Sequence, residues 1–116
     1  MSTVKVDTIT ASDGTSPVTL TKQSAAKAWN NTNATGTAIN DSFNIASLTD
    51  SGTGIQDHNV TNAFDSANHV PVFTQGNNIS ETWIQSMTAS AWQTRCYTGS
   101  SYSDNAVRTT SHGDLA

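Results

Sequence analysis

The residues of this chain whose types could carry chemistry are one cysteine, Cys96, and three histidines, His58, His69 and His112. A thiolate beside an imidazole is a nucleophile–base pair. Three imidazoles can hold a metal ion, the more so where a symmetry axis repeats each of them. The spacings 58, 69 and 112 match no metal-binding pattern, so the histidines read as structural or solvent-facing. Cys96 falls in a predicted strand between Trp92 and Tyr97, which suits a small buried apolar residue better than a reactive thiol. A pair of carboxylates could cleave glycosidic bonds if held about 5–9 Å apart in a groove. Here Glu81 is the single glutamate, and Asp13, Asp50, Asp65 and Asp104 all sit in turn-forming stretches, where Asp bonds its own backbone. Neither a Gly-x-Ser-x-Gly elbow nor a phosphate-cradling glycine loop occurs. No catalytic, cofactor-binding or metal-ligating set is therefore assigned, and the chain is expected to be non-enzymatic with no cofactor.

The aromatic residues are the remaining candidates. Trp83, Trp92, Tyr97 and Tyr102 could stack on sugars, each offering an apolar ring with a polar handle. Trp83 and Trp92 read first as core or subunit interface, because the chain has few other large apolar residues. Tyr102 lies in the small-polar stretch Gly99–Asn105 and is the candidate for an exposed contact. The triplets Asn33-Ala34-Thr35, Asn59-Val60-Thr61 and Asn78-Ile79-Ser80 fit glycosylation acceptors, and chance supplies them in so Asn-, Ser- and Thr-rich a chain.

The elements that must position these residues follow from periodicity. Val4, Val6, Ile9 and Val18-Thr19-Leu20 flank Asp13-Gly14 as a predicted N-terminal hairpin. Ser24–Trp29 (SAAKAW) is helix-forming in composition, and the asparagines after it stop it early. From Gly36 the pattern is β throughout. Ile39, Asp41, Phe43 and Ile45 share one parity, with a bulge or bend expected near Ala46–Leu48. Asp50–Gly54 is a hairpin turn, and Ile55–Phe64 a polar return strand. Val70–Phe73 is an edge strand because Pro71 donates no ladder bond. Thr82–Met87, Ala91–Thr98 and Ala106–Leu115 complete the set. The fold class expected is all-β: a small antiparallel β-sandwich with an N-terminal β-hairpin and one short helix. Residues 1–23 are assigned to a hairpin docking segment, 24–35 to the helix and linker, and 36–116 to the sandwich.

Composition narrows the function classes. The 116 residues carry a net charge of −4 at a pI near 4.9, with only five Lys and Arg. Nucleic-acid binding needs a basic stripe, and none is present. Apolar residues make up 34% and charged residues 12%, against roughly 45–50% and 25% in an average domain. So thin a core points to a partner surface, and self-association is expected. No apolar run nears the ~20 residues of a membrane helix, and no leader pattern opens the chain, so it is expected to be made soluble, without membrane insertion.

Three stretches resemble the tail-fibre-like virion structural proteins of tailed, chiefly marine, bacteriophages. They are the run MSTVKVDTITASDGTSPVTLTKQSAAKAW, the block GTAINDSFNIASLTDSGTG from Gly36 to Gly54 followed by Val60–Phe64, and the ending His112–Ala116. Together they cover half the chain, in the order and spacing of the family. The chain departs from that pattern at Ile55–Asn59, which is polar where the family alternates aromatics, and at His69, where Tyr is common. The segment from Gln75 to Asn105 falls outside the resemblance. What the resemblance implies is a virion location and a short tail fibre or surface appendage. By analogy with phage fibres it implies a homotrimer. Partners would be another virion protein of tail or capsid and a host-surface glycan or protein. A capsid-decorating cement or head-fibre protein, and a free carbohydrate-binding module, are the competing readings. Val4, Val6, Ile9, Val18, Leu20 and Trp29 are the docking candidates, with Tyr102 the candidate exposed contact.

Overall fold

A computed structural model describes residues 26–76 and 79–116, which form eight strands. In chain order they are β1 (Ala28–Thr32), β2 (Ile39–Phe43), β3 (Ile45–Gly52), β4 (Ile55–Val60), β5 (Val70–Gln75), β6 (Glu81–Thr88), β7 (Ala91–Tyr97) and β8 (Val107–His112). They pair antiparallel into two four-stranded sheets, β2-β1-β8-β5 and β3-β4-β7-β6. The expected all-β sandwich is thus what the chain forms. The N-terminal hairpin expected from Val4 to Leu20 lies outside the described residues.

Of the expected helix over Ser24–Trp29, residues 26–29 lie within the described part and are not helical: Ala28 and Trp29 open strand β1. Helix propensity is a weak prior that tertiary context overrides. Here β1 is hydrogen-bonded on both sides, to β2 and β8, and alternation buries Ala28, Asn30 and Thr32 while turning Trp29 and Asn31 to the outer face. The parity expected for β2 also fails. A register shift at Asn31/Thr32 reverses the alternation, so Phe43 pairs with outward-facing Trp29 and is 54% exposed. The bulge expected near Ala46–Leu48 is present as a register shift between Ile45 and Ser47. Strand β5 lies at a sheet edge, as Pro71 requires.

A single residue, Asn44, carries the chain from the first sheet to the second. Its backbone is left-handed at φ 56°, a conformation that Asn tolerates better than most residues. Its side chain fixes the corner. Nδ2 donates to the carbonyls of Lys27 (3.0 Å) and Asn62 (3.1 Å), and Oδ1 accepts from Asn62 N–H at 2.7 Å. Gly36, at φ 68°, is required by close approach as well: a Cβ there would lie 1.8 Å from Gln56 Nε2 and 2.4 Å from the Asn105 carbonyl oxygen.

The interior is divided. At one end Trp92, Phe64, Val60 and Ala28 form an apolar cluster, flanked by Ile45, Ile84 and Leu115. The middle is polar. Asn30, Thr32, Gln56, His58, Thr94, Thr109 and Ser111 are all buried, and they stand at inward positions of β1, β4, β7 and β8. Buried polar groups are tolerated when hydrogen-bonded, and most of these are bonded to one another.

Candidate binding surfaces

The titratable residues that could have formed a reactive site are used as internal connectors. Thr109 Oγ1 donates to Asn30 Oδ1 (2.6 Å), and Asn30 Nδ2 donates to His58 Nδ1 (3.0 Å). His58 Nε2–H then donates to Thr94 Oγ1 at 2.9 Å. This relay crosses from the first sheet to the second and specifies a neutral, Nε2-protonated imidazole. Burial lowers the His58 pKa to about 4, against a smaller opposing pull from Asp57. His69 does similar work outside the relay. Its Nε2–H donates to the Thr88 carbonyl at 2.9 Å, its Nδ1 accepts from Ser111 Oγ at 2.7 Å, and its ring stacks on Phe64 at 4.2 Å. The Cys96 thiol is buried, accepts from Thr82 Oγ1 at 3.8 Å, and has its pKa raised by burial. Burial, the larger effect, disfavours a thiolate, against a smaller opposing pull from the Thr82 hydrogen bond. No group of three or more His, Cys, Asp or Glu able to hold a metal exists among the described residues.

The outer faces of the two sheets carry what remains, and they differ in chemistry. On the second sheet, Trp83 of β6 and Arg95 of β7 are directly paired. The Gly99–Asn105 stretch folds back so that Tyr102 bridges Tyr97 and lies beside both. Trp83 and Tyr102 have ring centroids 6.1 Å apart, Tyr97 meets Tyr102 edge-on at 5.6 Å, and the Arg95 guanidinium lies 5.8 Å from the Tyr102 ring centre. From Arg95 a row of polar side chains crosses the sheet. Arg95 Nε donates to Gln93 Oε1 (3.2 Å), Gln93 Nε2 donates to Asp57 Oδ1 (2.8 Å), and Ser51 Oγ donates to Asp57 Oδ2. The face therefore offers flat aromatic surface beside side chains already oriented by hydrogen bonds.

On the first sheet, Phe43, Trp29, Thr110 and Val72 form one row across all four strands in the order β2-β1-β8-β5. Val70 lies two residues further along β5. Phe43, Val72 and Val70 are 54%, 51% and 60% exposed. A groove of about 360 Å³ runs between Trp29 on one side and Val72 on the other, floored by Thr110, Asn31 and Arg108.

Of the residues singled out in the sequence, Trp29 lies at the centre of this apolar face, and Tyr102 is 38% exposed within the aromatic cluster. Val4, Val6, Ile9, Val18 and Leu20 lie outside the described residues. Trp92 is core, as read; Trp83 is not, and belongs with Tyr102 on the outer face. Sequence reasoning missed Phe43, Val70, Val72, Arg95 and Arg108. A strand reading of Val70–Phe73 shows alternation but not which parity faces out. Comparison with protein-family models, with curated proteins and with solved structures returns no match to this chain.

Proposed function

We propose that this protein is a non-enzymatic structural component of a bacteriophage virion: a short tail fibre or surface appendage that assembles as a symmetric homo-oligomer and presents its aromatic face to the host surface. One observation carries the reading. The first sheet exposes Phe43, Val72 and Val70 on one outer face, with half-buried Trp29 beside Phe43, and exposed apolar side chains gathered on one face mark association sites. A chain with so small an apolar core gains stability by covering that surface. The resemblance of the Gly36–Gly54 block, the opening run and the ending to marine-phage tail-fibre-like proteins supplies the setting. The Trp83–Tyr102–Arg95 cluster on the opposite sheet supports host contact, because aromatic rings flanked by planar polar groups suit the faces and hydroxyls of a glycan. Repetition by symmetry would let weak individual contacts add up through avidity.

Immunogold labelling of purified particles, with mass spectrometry of the same preparation, tests this reading. Label at the tail or an appendage is the expected result. Label over the head lattice would make the protein a capsid-decorating one. Absence of the chain from the particle would overturn a virion role and leave the carbohydrate-binding module as the reading to pursue.

A further inference from the structure

We infer that the outer face of β2, β1 and β8 is covered by the same face of a second copy, related by a two-fold axis running along β1. One register step beyond the Phe43–Trp29–Thr110–Val72 row lies a second row, Asp41–Asn31–Arg108–Thr74, again in the order β2-β1-β8-β5. Asp41 and Arg108 are exposed and stand one strand to either side of Asn31. With strands about 4.8 Å apart, each is about 4.8 Å from β1. Neither forms an ion pair with another described residue.

A two-fold axis lying in the plane of contact and parallel to β1 exchanges the two sides of that strand. It sets Asp41 of each copy opposite Arg108 of the other, so one arrangement forms two ion pairs. The same operation places Trp29 against Trp29 and Phe43 over Thr110, and leaves Val72 and Val70 of β5 beyond the β2 edge of the facing copy. It also brings position 31 of each copy against its counterpart. Such self-complementarity, in which residue i meets j and j meets i, is the mark of an isologous contact. A three-fold contact sets this face against a different surface of the next copy and cannot match Asp41 with Arg108 reciprocally. The inference thus departs from the trimer expected by analogy with phage fibres, and it does not depend on where in a virion, or whether in one, the protein sits.

The test uses the full chain and its mass in solution, by light scattering after size exclusion and by sedimentation at several concentrations. The wild type is expected to be a dimer. Asp41→Arg and Arg108→Asp each set like charges together twice, and each should weaken dimerisation on the order of a hundredfold. The double variant D41R/R108D exchanges the charges and should return the affinity to within about tenfold of wild type. Both positions are exposed, and far-ultraviolet circular dichroism checks that each variant is folded. A second measurement needs no charge change. Asn31→Cys, treated with a bis-maleimide of about 10 Å, should give a covalent dimer, since facing sheets lie about 10 Å apart. Thr74→Cys should not, because its two-fold counterpart lies beyond the β2 edge. A monomeric or trimeric wild type, failure of the exchanged pair to recover affinity, or equal cross-linking at positions 31 and 74 would each overturn the inference.

Discussion

His58 of β4 accepts a hydrogen bond from Asn30 of β1 across the middle of the sandwich, Nδ2 to Nδ1 at 3.0 Å. The two sheets are joined there by an uncharged imidazole, and that has a consequence for acid stability. The folded-state pKa of about 4 lies below the ordinary value of 6.5. Between those values the unfolded chain binds the proton and the folded chain does not, so stability is full above about pH 6.5 and falls as pH drops toward 4. A gap of that size corresponds to about 3 kcal/mol. Thermal unfolding followed by circular dichroism from pH 7.5 to 4 should show this slope. His58→Gln, which cannot titrate, should start less stable and lose that part of the pH dependence.

Asn44 provides a separate test of how the sheets are joined. Asn44→Ala removes three side-chain hydrogen bonds and places a Cβ with no polar support at φ 56°. Destabilisation of about 2–3 kcal/mol is expected in urea unfolding. Asn44→Gly loses the same bonds but tolerates the backbone, and should be less damaging than Ala by about 1 kcal/mol. The reverse order would mean that the corner is not held left-handed in solution.

Cys96 should be silent in the native protein. Its thiol is buried, and burial raises its pKa, so a disulfide reagent at pH 8 is expected to find no fast-reacting thiol until denaturant is added, and then one per chain. Rapid modification of the folded protein would show that the second sheet opens at the β6–β7 pair.

Much of this architecture is legible in the chain, because turns and β-branched runs mark strands directly. The Asp50–Gly54 turn, the edge position of Pro71 and the strands Thr82–Met87 and Ala91–Thr98 all follow from local signals. Strand β1 was hidden because its first residues, Ala28 and Trp29, continue an alanine-rich run, while the bonds that make it a strand come from β8, some eighty residues later. The parity of Phe43 was hidden by a register shift that depends on its partner strand. The interior was hardest to read. Gln56 and His58 look like surface residues on polarity alone, and only the facing Asn30 and Thr94 for His58, and the Asn105 carbonyl for the Gln56 Nε2, reveal the partners they find inside. Trp83, large and apolar, reads as core or subunit interface, and of the two the core is not where it stands: it lies on the outer face.

The polar seam between the sheets also bears on temperature. Exposing apolar surface on unfolding raises heat capacity, and exposing polar surface lowers it. Along the seam formed by Asn30, His58, Thr94 and Thr109 the two contributions oppose each other. The heat-capacity increment of unfolding is therefore expected to be small for a chain of this length, with a correspondingly flat curve of stability against temperature. Chilling, which weakens an oil-like core, takes little from a sandwich held together in this way.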